Sequence, residues 1–139
     1  MSLLEVNSRS LVIPGARLSQ GLVVQAGAPL LFMSGLTAYD ADGTPVGVGD
    51  AGAQARAILT AISELCREAR GTLRDVVKLT VFLADMGDAP DVAGARAEFF
   101  PDPPFPASSM VEVSRLASPD QLVEIEAVAA IGQSSVREE

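Results

Sequence analysis

One stretch limits the fold of this chain most strongly. Its pattern predicts two β-strands separated by a loop. The strands are predicted at residues 106–116 and 122–131. Because strand side chains alternate between two faces, the second strand has one entirely apolar face. Its members are Val123, Ile125, Ala127, Ala129 and Ile131. The opposite face carries Glu124 and Glu126 among apolar neighbours, and a carboxylate in that setting needs a partner or a function.

The first of these strands has the same two-sided pattern. Val111 and Val113 share one face, whereas Ser108, Met110 and Glu112 share the other. Each strand therefore combines an apolar face with a face that carries isolated carboxylates. If helices cover only one face of the sheet, the apolar residues on the other face predict burial against a further subunit.

The remaining patterns predict three more strands and two helices. The predicted strands are at residues 17–25, 30–34 and 75–86, and the first two are expected to form a hairpin. Helical spacing of apolar residues predicts helices at residues 51–70 and 90–100. This order predicts a single α+β domain over residues 1–139, with both helices packed on one face of the sheet.

Composition excludes several classes of function. The formal net charge is −8, which argues against nucleic acid and anionic membranes as partners, because nucleic-acid affinity comes largely from clustered Lys and Arg. There is no histidine, so the commonest zinc ligand and the Ser–His pair are missing, and no metal or cofactor is expected.

The single cysteine, Cys66, cannot form an internal disulfide, which predicts a cytoplasmic location. The most apolar stretch, residues 21–36, is too short and broken to span a bilayer.

Four segments carry a family resemblance in chain order. They are LLFMSGL at residues 30–36, DVVKLTVFLADM at 75–86, AEFF at 97–100, and PASSMVEVSRL with VEIEAVA at 106–116 and 123–129. Together they resemble the Rid family, the YjgF-like reactive-intermediate deaminases also called L-PSP endoribonucleases. The resemblance implies a chorismate-mutase-like fold and a homotrimer with small-molecule clefts between subunits.

The resemblance also implies roles for particular residues. Glu124 stands where the family has its water-positioning carboxylate, and Ser34 with Gly35 stands where the family contacts its substrate. Ser108 departs from the pattern, because deaminases of the family carry an arginine there to bind the substrate carboxylate. Two further substrate positions differ: Leu18 replaces a tyrosine, and Ala93 replaces an asparagine.

Two functions are consistent with this sequence. The first is a hydrolytic deaminase of a small enamine or imine in an inter-subunit cleft, with a non-standard substrate because Ser108 replaces the arginine. The alternative is a non-catalytic trimer that binds or senses a small metabolite. Unless Arg17 or Arg96 supplies the missing positive charge, Ser108 predicts weak activity on 2-imino acids and a preference for neutral or cationic ligands.

Overall fold

The computed structural model describes residues 3–11 and 17–132 of the chain. The strands are β1 (Leu4–Val6), β2 (Gly21–Val23), β3 (Leu30–Leu36), β4 (Val76–Leu83), β5 (Ala107–Glu112) and β6 (Val123–Ala130). The α-helices are α1 (Ala51–Glu68) and α2 (Ala89–Phe99), and short 3-10 turns flank β4 at Leu73–Asp75 and Met86–Asp88. No helix within the described ranges is both long and apolar enough to cross a membrane. The α+β class predicted from the sequence is confirmed.

The four longer strands form one mixed sheet in the order β3-β6-β4-β5. β6 is antiparallel to both of its neighbours, whereas β5 runs parallel to β4 at one edge. α1 packs against β6 and β3, and α2 packs against α1. The largest buried side chains between helices and sheet include Ile58, Leu59, Ile62, Leu79, Leu83 and Ile125. Fully burying a side chain of this size contributes about 1.5–3 kcal/mol, so this aliphatic layer holds the helices on one face.

α1 forms at the residues where the sequence predicts a helix. The Asp50 carboxylate accepts a hydrogen bond from the backbone N–H of Ala53 at 3.0 Å, which satisfies one of the free donors at a helix start. The buried positions of α1 repeat at helical spacing and include Ala55, Ile58, Ile62 and Cys66. Arg70 then takes a left-handed conformation with φ of 66°. The helix predicted at residues 51–70 is therefore confirmed.

The sheet face opposite the helices, here named the uncovered face, is partly apolar. The pairing of β4 with β6 places Phe82 beside Glu124 and Thr80 beside Glu126 on this face. Phe32 of β3 lies on the same face, opposite Val128, and is 73% exposed. An exposed face of this kind is typical of a surface that contacts another protein chain.

The predicted hairpin of residues 17–25 with residues 30–34 is wrong. β2 pairs with β1, and β3 pairs with β6 instead. In that pairing, Leu31 and Met33 lie opposite Ala129 and Ala127 on the helix-covered face, so β3 gains a buried side that β2 does not offer. Val23 of β2 is 45% exposed.

In β5, the face that carries Val111 points away from the helices. Ser108 and Met110 lie opposite the buried residues Leu79 and Val81 of β4, on the helix-covered face. Met110 packs against the core, whereas Val111 is 43% exposed on the uncovered face. In β5 the helices therefore cover the face that carries serine and glutamate, because the parallel register with β4 decides which side points inward.

Candidate functional site

Ser34 and Gly35 form a bulge in β3 directly beside Glu124. Between the pairs Met33–Ala127 and Leu36–Ile125, β3 has one more residue than β6, so this bend leaves two residues outside the regular strand pairing. A Cβ atom added at Gly35 would lie 2.9 Å from Cδ and 3.0 Å from Oε2 of Glu124. Only a glycine at this position lets the carboxylate lie against the strand backbone.

The Glu124 carboxylate has no protein partner within the described residues. It is half-buried on the uncovered face, and no hydrogen bond or salt bridge there involves it. An ionised carboxylate only accepts hydrogen bonds and has about four acceptor positions. Glu124, next to the irregular backbone of Ser34 and Gly35, can therefore hold a water molecule or a polar ligand. These three residues are named the bulge site.

Ser108 forms the centre of a second group of predicted residues. An Nη atom of Arg96 in α2 donates a hydrogen bond to Oγ of Ser108 at 3.1 Å. Both residues are half-buried, and burial lowers the pKa of the Arg96 guanidinium below its ordinary value. Ala93 lies one helical turn before Arg96 and ends at a methyl group. The structure thus brings a guanidinium from α2 to the hydroxyl of Ser108. Arg96 and Ser108 are named the arginine site.

Arg17 points elsewhere. Its Nη2 donates to the carbonyl oxygen of Pro101 at 3.1 Å, and its guanidinium lies 5.4 Å from the centroid of the Phe105 ring. The backbone N–H of Ser19 donates to the carbonyl of Pro106 at 3.3 Å, so Leu18 lies beside the segment that leads into β5. Of the two arginines left open by the sequence, Arg96 reaches Ser108 and Arg17 does not.

The sheet separates the bulge site from the arginine site within one chain. Ser108 belongs to the edge strand β5 and shares the helix-covered face with Leu79. Glu124 lies on the uncovered face, next to the opposite edge strand β3. The structure therefore brings Ser34, Gly35 and Glu124 together, and separately brings Arg96 to Ser108, but a single chain does not unite the two groups.

The other side chains that could bind a ligand or react lie outside the bulge site and the arginine site. Lys78 donates to Ser109 at 3.1 Å on the uncovered face. Cys66 is fully buried, and burial raises the pKa of its thiol to about 11, so it is an inert core residue. Within residues 3–11 and 17–132, no cluster of three acidic or cysteine side chains suits a metal ion.

Phe82 is a site residue that the sequence pattern does not single out. It lies opposite Glu124 on the uncovered face and is half-buried. Alternation with the buried residues Val81 and Leu83 places it on the outward face of β4, but its position beside Glu124 follows only from the register between β4 and β6. The two residues are direct cross-strand neighbours, a spacing at which side chains interact.

The chain is similar to one family along most of its length. The family model described as Endoribonuclease L-PSP matches residues 12–131. The 3-aminoacrylate deaminase RutC of Acinetobacter baylyi is 38% identical over 102 residues, which cover 73% of this chain and 79% of the relative. A RutC family protein of Synechocystis is 40% identical over 102 residues, with coverage of 73% and 78%.

Solved structures have the same fold. YyfB of Yersinia pestis, a protein of the conserved Rid family, superposes with a TM-score of 0.83 at 27% identity, covering 94% of this chain and 100% of that one. A Mycobacterium tuberculosis protein of the YjgF family superposes with a TM-score of 0.65 at 31% identity, again covering 94% and 100% of the two chains.

Proposed function

The chain belongs to the Rid (YjgF-like, Endoribonuclease L-PSP) family, and from this premise we propose that it hydrolyses a small enamine or imine to a carbonyl compound and ammonia. The observation that carries the proposal is the Glu124 carboxylate, which lies against Gly35 at the β3 bulge and has no partner within the described chain. A relative named as a 3-aminoacrylate deaminase, 38% identical to this chain, supports an enamine or imine as the substrate class.

The proposed reaction needs one water molecule and one proton carrier. Glu124 accepts a hydrogen bond from the water and takes its proton as the water oxygen attacks the C=N carbon. Glu124 returns this proton to the nitrogen, which gives a carbinolamine. Glu124 then relays the hydroxyl proton of the carbinolamine to the amino group, the C–N bond breaks, and the products are a C=O group and ammonia. An enamine first gains a proton at carbon and loses one from nitrogen to become the imine. In this proposal, the bulged backbone of Ser34 and Gly35 contacts the substrate beside Glu124.

We propose that the complete cleft forms between subunits of a homotrimer. The bulge site and the arginine site lie on opposite faces of one sheet, so a ligand that contacts both must lie between two chains. The exposed apolar side chains of the uncovered face, such as Phe32 and Leu30, support burial of that face against another copy. In this arrangement, one chain supplies Glu124 and its neighbour supplies Arg96 and Ser108.

The direct test is Glu124→Gln, which keeps the shape of the side chain but removes the proton acceptor. The protein is assayed with 2-iminobutanoate and 2-iminopropanoate, generated in situ by an amino-acid oxidase, and with 3-aminoacrylate. We expect the wild-type protein to accelerate release of ammonia, and the variant to lose about 100-fold or more of that rate.

The matched control is Glu64→Gln, which alters an exposed carboxylate of α1. It is expected to leave the rate unchanged. If Glu124→Gln retains the wild-type rate, Glu124 is not the catalytic carboxylate. If the wild-type protein binds these compounds or their keto-acid products but accelerates none of the reactions, the non-catalytic metabolite-binding trimer is the better description.

A further inference from the structure

Arg96 carries a positive charge that the described part of the chain does not neutralise. It is half-buried, and its hydrogen bond there is to the neutral hydroxyl of Ser108. No carboxylate within the described residues lies in salt-bridge range of it. Arg56 behaves differently, because its guanidinium makes two hydrogen bonds of 2.9 Å to the carboxylate of Glu98. A partly desolvated charge without a counter-charge is costly, so an anion is the group that Arg96 lacks.

The free donors at this position suit a carboxylate. A guanidinium has five N–H donors in a planar fork, and the contact with Ser108 uses one nitrogen of Arg96. The fork matches the two oxygens of a carboxylate, which a single hydroxyl cannot do. Because Oγ of Ser108 accepts the bond from Arg96, the hydroxyl hydrogen of Ser108 remains available to donate to the same anion. Ala93, one turn earlier on α2, adds no competing polar group.

We infer that Arg96, oriented by Ser108, binds the carboxylate of the substrate and makes the cleft selective for small imino or enamino acids over their amides and amines. This inference rests on the proposed function for its substrate, but the anion site itself does not require turnover. It reverses the preference for neutral ligands that Ser108 alone predicts, because the positive charge comes from α2 and not from β5.

Binding of stable product-like probes tests the site directly. Isothermal titration calorimetry compares pyruvate with pyruvamide, which differ in the carboxylate. The wild-type protein is expected to bind pyruvate about tenfold or more tightly than pyruvamide, since a charge-assisted bidentate contact is lost in the amide. Arg96→Met, which keeps an unbranched apolar stem, is expected to remove this preference by weakening pyruvate alone.

Three further variants separate a specific contact from general charge. Arg67→Met removes an exposed arginine of α1 and is expected to leave both affinities unchanged. Arg96→Lys keeps the charge but loses the planar fork, so the preference for pyruvate is expected to fall without vanishing. Adding Ser108→Arg to Arg96→Met is expected to restore it, because a guanidinium returns to the same position. If Arg96→Met does not fold, Arg96→Lys remains the test.

The outcomes distinguish this inference from the proposed function. Glu124→Gln is expected to lose turnover but keep the preference for pyruvate. If the wild-type protein deaminates nothing while pyruvate binding depends on Arg96, the deaminase proposal fails and the carboxylate site stands. If it deaminates imino acids and neither Arg96→Met nor Arg96→Lys changes KM or the ratio of pyruvate to pyruvamide affinity, the carboxylate site is wrong.

Discussion

At the scale of single residues, the contact between Gly35 and Glu124 leads to a prediction. Gly35→Ala would place a Cβ atom 2.9 Å from Cδ of Glu124, a distance that forces the carboxylate to move. A displacement of about 1 Å at a reacting group can cost about 100-fold in rate. We therefore expect Gly35→Ala to lower kcat/KM for imine hydrolysis by tenfold to 100-fold, with little change in the thermal unfolding midpoint. Gly94→Ala is the matched control.

Gly94 lies in α2, and a Cβ added there meets no atom within 4 Å. The substitution is expected to leave kcat/KM unchanged and to stabilise the protein by about 0.5–1 kcal/mol, because alanine favours the helix. A Gly35→Ala variant as active as Gly94→Ala would mean that the contact with Glu124 plays no part in catalysis.

At the scale of secondary-structure elements, Gln54 connects α1 to the start of β6. Its side chain is fully buried, donates to the carbonyl of Asp120 and accepts from the backbone N–H of Leu122, both at 2.8 Å. Gln54→Leu keeps a similar volume but leaves these two backbone groups without partners. Each unsatisfied buried group costs about 1–3 kcal/mol, so we expect a loss of about 2–4 kcal/mol in the free energy of unfolding, measured with urea.

The control for this prediction is Thr60→Ala on the exposed face of the same helix, where a change within about 0.5 kcal/mol is expected. Because Gln54 bonds to the residue two positions before Glu124, Gln54→Leu is also expected to reduce deaminase activity. If its stability matches that of Thr60→Ala, the two hydrogen bonds of Gln54 contribute nothing to the stability of the fold.

At the scale of the whole molecule, the uncovered face predicts assembly. Sedimentation equilibrium at micromolar concentration is expected to give three times the chain mass of 14.4 kDa. Phe32→Asp puts a charge at an apolar position that is 73% exposed in the single chain, and it is expected to dissociate the trimer and abolish activity. Val48→Asp, at a loop position that is 62% exposed, is expected to change neither. A wild-type monomer would contradict both the trimer and the shared cleft.

The sequence by itself determined those features that depend on neighbouring residues along the chain. Alternation in residues 122–131 correctly separated Val123 and Ile125, which are buried, from Glu124 and Glu126 on the other face. Helical spacing of apolar residues located α1. These predictions succeed because the two periodicities are properties of the local backbone, and they also placed Glu124 on the outward face of its strand.

Tertiary structure alone decided which elements meet. The partner of β3 is β6 and not β2, because only that pairing buries Leu31 and Met33 against the core. The inward face of β5 follows from its register with β4, which no pattern within β5 reveals. The contact of Arg96 with Ser108 joins a helix to an edge strand, whereas Arg17 lies against Phe105. Strand pairing and the reach of a long side chain depend on packing between distant segments, which local periodicity does not encode.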